Sequence, residues 1–575
     1  QTPFQSVPAG SAPFYSVYEC ADGEWIQLGC VHQGFINTAV GVLGIKQMLE
    51  DPKYGRGLFP KTPEVDQEAR AMIAQVIRTK PYHEWKRILE AADVPSARVC
   101  TSEEGIDDPQ VQANGMVVEL KDPEVGLMAQ MGVPIALSGT PGKVKGPRML
   151  PGAQPDGLTA VESDAPSSFG SPQRPTGPLD PPLKGFRVLE ITNLIAGPTT
   201  GRLLADLGAD VIKMEPLEGE MARPLGRTYF FSLNLNKRSL SVDTRTPEGK
   251  EIAQKVAATA DVLLANLRPH STERIGLGQQ FNPRLIETHV TGFGWSGPYA
   301  ERPGIDPLAQ ALMGLSRAQG GQNPPVFYAQ LAPTDYTAGA MGALGTVLAL
   351  FARERTGVAQ RVDTNLLNGA IILSSEWFTR YQGKPQRPLA DKGQYGLDAC
   401  HRLYKVSDGW LYVVAETPEE RRALCQVLDC EDLPIQFSDA PAACHPADTP
   451  LAHALAQRFA GVRLEECLTR LKAAGVPCAP AVAGDSENFL NDPQAVANDM
   501  VLTFRHPVVG QTRVGRHYIR FGNTSVLKGR PSPVCGEHTR EILQDIGFAE
   551  SAIAELYTKR VVRTQEADAE GVQTR

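Results

Sequence analysis

The chain has 575 residues, 42% of them hydrophobic and 21% charged, with a formal net charge of −8. At roughly 100–200 residues per domain this length predicts several domains, and the composition excludes a disordered chain. The negative balance argues against nucleic-acid binding. The longest apolar stretch, Ala338 to Ala352, falls short of the ~20 residues that span a bilayer, so no membrane partner is expected and the stretch reads as a buried helix.

The chain opens at Gln1 without a Met or a secretory signal, as a fragment or processed product does. Its ten cysteines, Cys20, Cys30, Cys100, Cys400, Cys425, Cys430, Cys444, Cys467, Cys478 and Cys535, include no C-x-x-C pair. Neither a disulfide framework nor a structural zinc site has the clustering it needs, so reduced thiols and a cytoplasmic location are expected, with no metal site.

An internal repeat organises the first 150 residues. Asp108-Pro109-Gln110 through Asn114-Gly115-Met116 recurs as Asp492-Pro493-Gln494 through Asn498-Asp499-Met500, an offset of 384. Phe14 to Val17 with Asp22-Gly23 matches Leu403 to Val406 with Asp408-Gly409, and Leu89 to Pro95 matches Leu471 to Pro477. This period is the length of a two-domain protein, not of a solenoid unit. The simplest account is a tandem fusion. Residues 1–150 are the C-terminal part of a first copy, a small domain plus a return segment. Residues 151–183, dense in proline, are an extended tether. The second copy then supplies a large domain at 184–385, a small domain at 386–492 and a return segment at 493–557, with a flexible tail at 558–575.

The second copy opens as an α/β unit. Phe186 to Ile191 reads as a strand, Thr199 to Leu207 as a helix and Asp210 to Met214 as a second strand, which predicts a βαβ crossover in a parallel sheet. Leu233 to Leu235 is strand-like, Glu248 to Ala258 is an amphipathic helix, and Asp261 to Ala265 is a further strand. Pro333-Thr334-Asp335 marks the start of the small-residue helix.

A dinucleotide site is the first thought for such an opening. Ile195-Ala196-Gly197-Pro198-Thr199-Thr200-Gly201 lacks the third glycine and the spacing of G-x-G-x-x-G, which argues against NAD. No G-x-S-x-G, H-E-x-x-H, P-loop or EF-hand pattern is present.

The ordered motifs Val188-Leu189-Glu190, Ala196-Gly197-Pro198, Leu204-Ala205-Asp206-Leu207-Gly208-Ala209-Asp210-Val211-Ile212-Lys213-Met214-Glu215-Pro216, Asn236-Lys237-Arg238-Ser239, Asn266-Leu267-Arg268-Pro269, Arg302-Pro303-Gly304-Ile305-Asp306 and Gln360-Arg361-Val362-Asp363 resemble the class III CoA-transferases. That family includes formyl-CoA transferase, the carnitine CoA-transferases and α-methylacyl-CoA racemase. The resemblance implies a Rossmann-like parallel-sheet large domain, a smaller α/β domain, and interlocked dimers. A homodimer or an intrachain pseudo-dimer is therefore expected, with one complete site in this chain. It also implies acyl-CoA and a carboxylic acid as substrates, with coenzyme A as a substrate and no permanently bound cofactor.

By the same resemblance Asp335 is the catalytic carboxylate, although alone it would read as a first-turn helix carboxylate. Its place at a helix N-terminus is expected to keep it ionised and nucleophilic. Lys237, Arg238, Asn266, Leu267, Arg274 and Gly197 match the nucleotide-contacting segments. Lys392-Gly393-Gln394-Tyr395-Gly396 corresponds either to the family's glycine-rich loop over the site or to a surface turn. Ile195 replaces the Gln of oxalate-using members, which suggests a less polar acyl pocket. Ile305 replaces the histidine of the racemases, and it can serve as neither acid nor base. A racemase or isomerase, a transferase-coupled lyase and a non-catalytic partner subunit remain as alternatives.

Overall fold

The computed structural model describes residues 10–54, 62–152, 179–327, 331–430, 449–482 and 486–565, apart from position 226 and several positions between 517 and 528. Most of the proline-rich segment, 153–178, and the last ten residues lie outside the described part.

An eight-stranded sheet forms the centre. Its order is Val562–Arg563, Arg238–Val242, Asp210–Glu215, Arg187–Ile191, Val262–Ala265, Ile286–Thr291, Arg361–Asn365 and Ala136–Leu137. The six inner strands run parallel and the two edge strands are antiparallel. The inner strands are buried almost throughout, as in a parallel sheet whose two faces are both covered by helices. One edge strand comes from the first 150 residues, so the front of the chain is built into the large domain.

The tail expected to fray after Thr558 instead contributes the other edge. Val561 and Val562 are buried, and Val562 pairs with Val242. Leu233 to Leu235 is not a strand either. The helix Arg227–Leu233 ends there, and Asn236, at φ +66°, turns the chain into Arg238–Val242.

The small-residue helix runs from Pro333 to Thr356 and crosses Ala196–Asp206 closely. A Cβ on Gly339 would fall 2.6 Å from the Ala196 carbonyl oxygen, and one on Gly342 would fall 2.6 Å from Thr200 Oγ1. Glycine at those positions lets the two backbones meet, and Thr200 Oγ1 donates to the Gly339 carbonyl at 2.8 Å. Only one face of the helix is buried, however. Leu344, Leu348 and Phe351 stand exposed on the other, which corrects the expectation of a wholly buried helix.

Two smaller four-stranded antiparallel sheets share one strand plan: Gly10–Ala12, Tyr15–Glu19, Trp25–Leu28, Ser96–Arg98, and Gly396–Asp398, His401–Val406, Gly409–Val414, Cys478–Pro480. Each has its own apolar core. In the first, Val17, Ala97 and Val99 also join the core of the large domain. A two-stranded hairpin follows each: Val117–Asp122 with Gly126–Met131, and Val501–His506 with Gly510–Gly515.

Candidate active site

The C-terminal ends of Arg187–Ile191, Val262–Ala265 and Ile286–Thr291 open onto one cavity, where ligands gather in open α/β sheets. Its volume is about 230 Å³, and its wall includes Asn193, Leu194, Ile195, Asn266, Val290 and Thr291 from those ends. Asp306 and Asp335 meet there. Asp306 opens the helix Asp306–Leu312 and Asp335 sits in the first turn of Pro333–Thr356. Ala332, which precedes that helix, has φ +36°, and Leu194 has φ +62°. Two left-handed non-glycine residues beside one cavity are strain of the kind that concentrates at functional sites.

The two carboxylates are treated unequally. Asp306 is buried and accepts from Thr334 N at 2.9 Å, Thr334 Oγ1 at 2.6 Å and Gln310 Nε2. Burial raises its pKa, and those donors pull it back. Asp335 has no such set of donors offsetting its burial. Burial, and then the charge of Asp306, push its carboxyl well above the usual aspartate range. Asp335 is therefore the harder of the two to ionise. This corrects the expectation that the helix N-terminus keeps Asp335 ionised: a half-turn of helix dipole is outweighed by desolvation and a neighbouring carboxylate.

The front wall comes from the first 150 residues. Ser11, Ala12, Tyr15 and Val31 line the cavity. The Tyr15 ring packs edge-on against Phe327, with centroids 5.3 Å apart. Burial raises the pKa of Tyr15 and of Tyr229, and both carboxylates raise them further, so the two hydroxyls keep their protons. Among the described residues that line the cavity there is no lysine, arginine or histidine.

The candidate binding residues divide. Asn266 lines the cavity, and its amide clamps the opposite loop through Asn193 N at 2.9 Å and Asn193 O at 2.8 Å. Leu267 follows it, half-buried. Gly197 lies one layer below, where a Cβ would fall 2.5 Å from Thr192 Cβ. Arg274 is exposed and, among the described residues, makes local bonds to the His270 and Pro269 carbonyls at 3.4 Å and to Ser271 Oγ at 3.3 Å.

Lys237 and Arg238 are committed elsewhere. Lys237 Nζ is fully buried against Glu190 Oε2 at 2.8 Å, the Pro198 carbonyl at 2.9 Å and Asn234 Oδ1 at 2.9 Å, and burial lowers its pKa to about 8. With Lys213, which bonds the Thr192 carbonyl at 2.9 Å, it props the 192–198 loop from beneath. Arg238 pairs with Asp210, Glu541 and Asp545 at 2.6–2.9 Å and ties the C-terminal helix Thr539–Asp545 to the sheet. Neither cation faces a ligand. Both hold the scaffold that a ligand would meet.

The loop Lys392 to Gly396 is not part of the cavity wall. Asn323 Nδ2 donates to the Lys392 carbonyl at 3.0 Å and Gln394 Nε2 to the Gly320 carbonyl at 2.6 Å, away from Asp335. The front of the cavity is formed instead by Ser11, Ala12 and Tyr15 of the first repeat. Sequence reasoning missed these residues, together with Asp306 and Tyr229. The repeat alignment contained the signal for the first group, because it pairs the start of the chain with the segment that follows Gly396.

A doubly covered parallel sheet with a buried carboxylate pair at its C-terminal edge, closed by a repeat of its own small domain, defines an α/β enzyme scaffold. Residues 4–153 and 183–539 match CoA-transferase family III, and the chain belongs to that family. It is a CoA-transferase-type enzyme. It is 30% identical over 401 residues to human succinyl-CoA:glutarate CoA-transferase, an alignment covering 67% of this chain and 91% of the relative. It is also 30% identical over 410 residues to succinyl-CoA–D-citramalate CoA-transferase of Chloroflexus aurantiacus, covering 68% of this chain and all of that one. The crystal structure of a CaiB/BaiF family protein from Brucella suis superposes with a TM-score of 0.54 at 28% identity, over 64% of this chain and 100% of that chain.

Proposed function

We propose that this protein moves coenzyme A from an acyl-CoA to a carboxylic acid by covalent catalysis at Asp335. The observation that carries the reading is the Asp306–Asp335 pair in the wall of one cavity with no basic side chain among its described wall residues. Once ionised, Asp335 attacks the thioester carbonyl carbon. The C–S bond breaks, thiolate leaves, and a mixed anhydride forms. The thiolate then attacks the aspartyl carbonyl, releasing the donor acid as its carboxylate and leaving an aspartyl thioester of CoA. The acceptor carboxylate attacks that carbonyl to form a second anhydride. The returning thiolate takes the new acyl group and frees Asp335. One hard exchange is divided into easier ones.

Each addition builds an oxyanion, and the protonated hydroxyls of Tyr15 and Tyr229 are donors for it. Wall residues Val31, Ile195, Val290, Ile305 and Leu366 favour an uncharged, apolar acyl tail, since a second carboxylate on the substrate would meet no cation there. The named relatives act on dicarboxylic acyl groups; this cavity suits a monocarboxylic one. A cavity of this size holds the acyl part, with the nucleotide outside it.

The test is turnover of a panel of acyl-CoA donors against carboxylate acceptors. Asp335→Ala should lose at least about 1,000-fold in kcat/KM, and monoacyl donors should exceed succinyl-CoA. Wild-type turnover by Asp335→Ala would remove the reading.

A further inference from the structure

A second cavity, about 500 Å³ in volume, lies where residues 101–103 meet the helix Leu315–Gly320 and the segment 379–389. None of its wall residues is shared with the Asp335 cavity. Four cations line it, Arg317, Arg380, Lys384 and Arg387, against one acid, Glu103.

Two of the four are neutralised within the fold. Arg380 donates two hydrogen bonds to the Asp107 carboxylate, at 2.8 and 2.5 Å, and one to the Glu103 carbonyl at 3.1 Å. Lys384 Nζ is saturated by Glu103 Oε1 at 2.8 Å and the carbonyls of Trp377 and Thr379 at 2.7 and 2.8 Å.

The other two are not. Arg387 Nη1 is buried without a hydrogen-bond partner, and its guanidinium lies 5.8 Å from the Trp377 ring. Glu376 and Glu103 reach it only through their fields, and burial lowers its pKa, so the charge sits in a place that a counter-anion would relieve. Arg317 is exposed at the same cavity and forms no hydrogen bond or ion pair among the described residues. Two guanidinium groups that line one space of this size and form no hydrogen bond among the described residues match a ligand with more than one anionic oxygen group, because each planar group can bind a carboxylate or phosphate through two donors.

We infer that this cavity is a binding site for a small multivalent oxyanion, a phosphate or a polycarboxylate, held chiefly by Arg317 and Arg387 and separate from the catalytic pair. The site joins the first-repeat segment to the large domain, so its occupant would bridge the two.

The test is calorimetric titration of the full chain, at low ionic strength, with inorganic phosphate and with tricarballylate. One saturable site is expected for at least one of the two, and the tighter of them assigns phosphoryl or polycarboxylate chemistry. Arg317→Gln, at an exposed position that leaves the fold undisturbed, and Arg387→Gln should each weaken it by about tenfold or more. Arg387→Lys, which keeps the charge and loses the fork, should fall between, and Asp335→Asn should titrate as wild type. The inference is overturned by an absence of saturable heat in the wild type. Unchanged binding in both glutamine variants would overturn it too, as would loss in Asp335→Asn with retention in Arg317→Gln.

Discussion

The two small sheets, in residues 10–98 and 396–480, are built alike and used differently. In each, a tyrosine closes the same turn: Tyr18 Oη donates to the Pro13 carbonyl and Tyr404 Oη to the Ala399 carbonyl, both at 2.5 Å. In each, the third strand continues into the same bond, Cys30 N to Phe14 O at 3.0 Å and Ala415 N to Cys400 O at 2.8 Å. That register equates Ala12 with Asp398, Tyr15 with His401, Gly29 with Val414 and Val31 with Glu416, which corrects by three residues the sequence match of Phe14–Val17 to Leu403–Val406. Of the first set, Ala12, Tyr15 and Val31 form the front wall of the Asp335 cavity. Their counterparts Asp398, His401 and Glu416 are polar, with His401 Nδ1 3.7 Å from Glu416 Oε1, and do not line that cavity.

The neighbour explains the difference. A Cβ on Gly29 would fall 2.3 Å from Ile305 Cδ1 of the large domain, so a larger residue there has to displace the Ile305 side chain where the sheet is docked. The equivalent position in the undocked sheet carries a valine. The repeated Asp-Pro-Gln motif repeats the lesson. Gln110 is fully buried, donating to the Ser296 carbonyl at 2.7 Å and accepting from Tyr299 N at 2.7 Å, while Gln494 is exposed and Val496 is 55% exposed. One sequence pattern specifies the local cap in both places, Asp108 to Gln110 N and Asp492 to Ala495 N. The surroundings decide which copy becomes a wall.

Three paired experiments break or sharpen this contrast. Gly29→Val, which makes the docked sheet resemble the other, should cost about 3 kcal/mol by overpacking against Ile305 and depress activity, whereas Val414→Ala should leave turnover unchanged; denaturant unfolding and steady-state kinetics read both. Gln110→Ala should cost about 2 kcal/mol, because it strands the Ser296 carbonyl and the Tyr299 amide. Gln494→Ala should stay within about 0.5 kcal/mol. Tyr15→Phe should lower kcat about tenfold by removing a donor aimed at the reacting centre, while His401→Phe leaves it intact.

The smallest effect concerns pH. Asp335 binds a proton in the fold that the unfolded chain releases, so its contribution to stability is best below the ordinary aspartate range and falls as pH climbs through the raised value. Asp335→Asn should therefore be more stable than wild type at neutral pH, by about 1 kcal/mol, with the gap closing in acid. The same titration should give wild-type kcat/KM an acidic limb displaced upward from the usual carboxylate range.

Local pattern made much of this legible. The strands at Arg187–Ile191 and Asp210–Glu215, the intervening helix and the long helix at Pro333–Thr356 were readable from apolar runs and from Pro-Thr-Asp and Gly punctuation. Asp335 and Ile195, which both line the cavity, came into view only through the resemblance to a family; by local pattern Asp335 is a first-turn helix carboxylate. What escaped depends on partners distant in the chain. Lys237 and Arg238 look like free cations until Glu190, Asp210, Glu541 and Asp545 are folded against them. Leu233 to Leu235 has strand-like composition but sits at a helix end. The closure of the cavity by Tyr15, 320 positions before Asp335, leaves no local periodicity to read.

The most direct test of the account is chemical trapping at one side chain. The full chain, incubated with an acyl-CoA and then with hydroxylamine, should yield a hydroxamate at Asp335 on peptide mass spectrometry, with none in Asp335→Asn. An unmodified Asp335 in a preparation that turns over would contradict it.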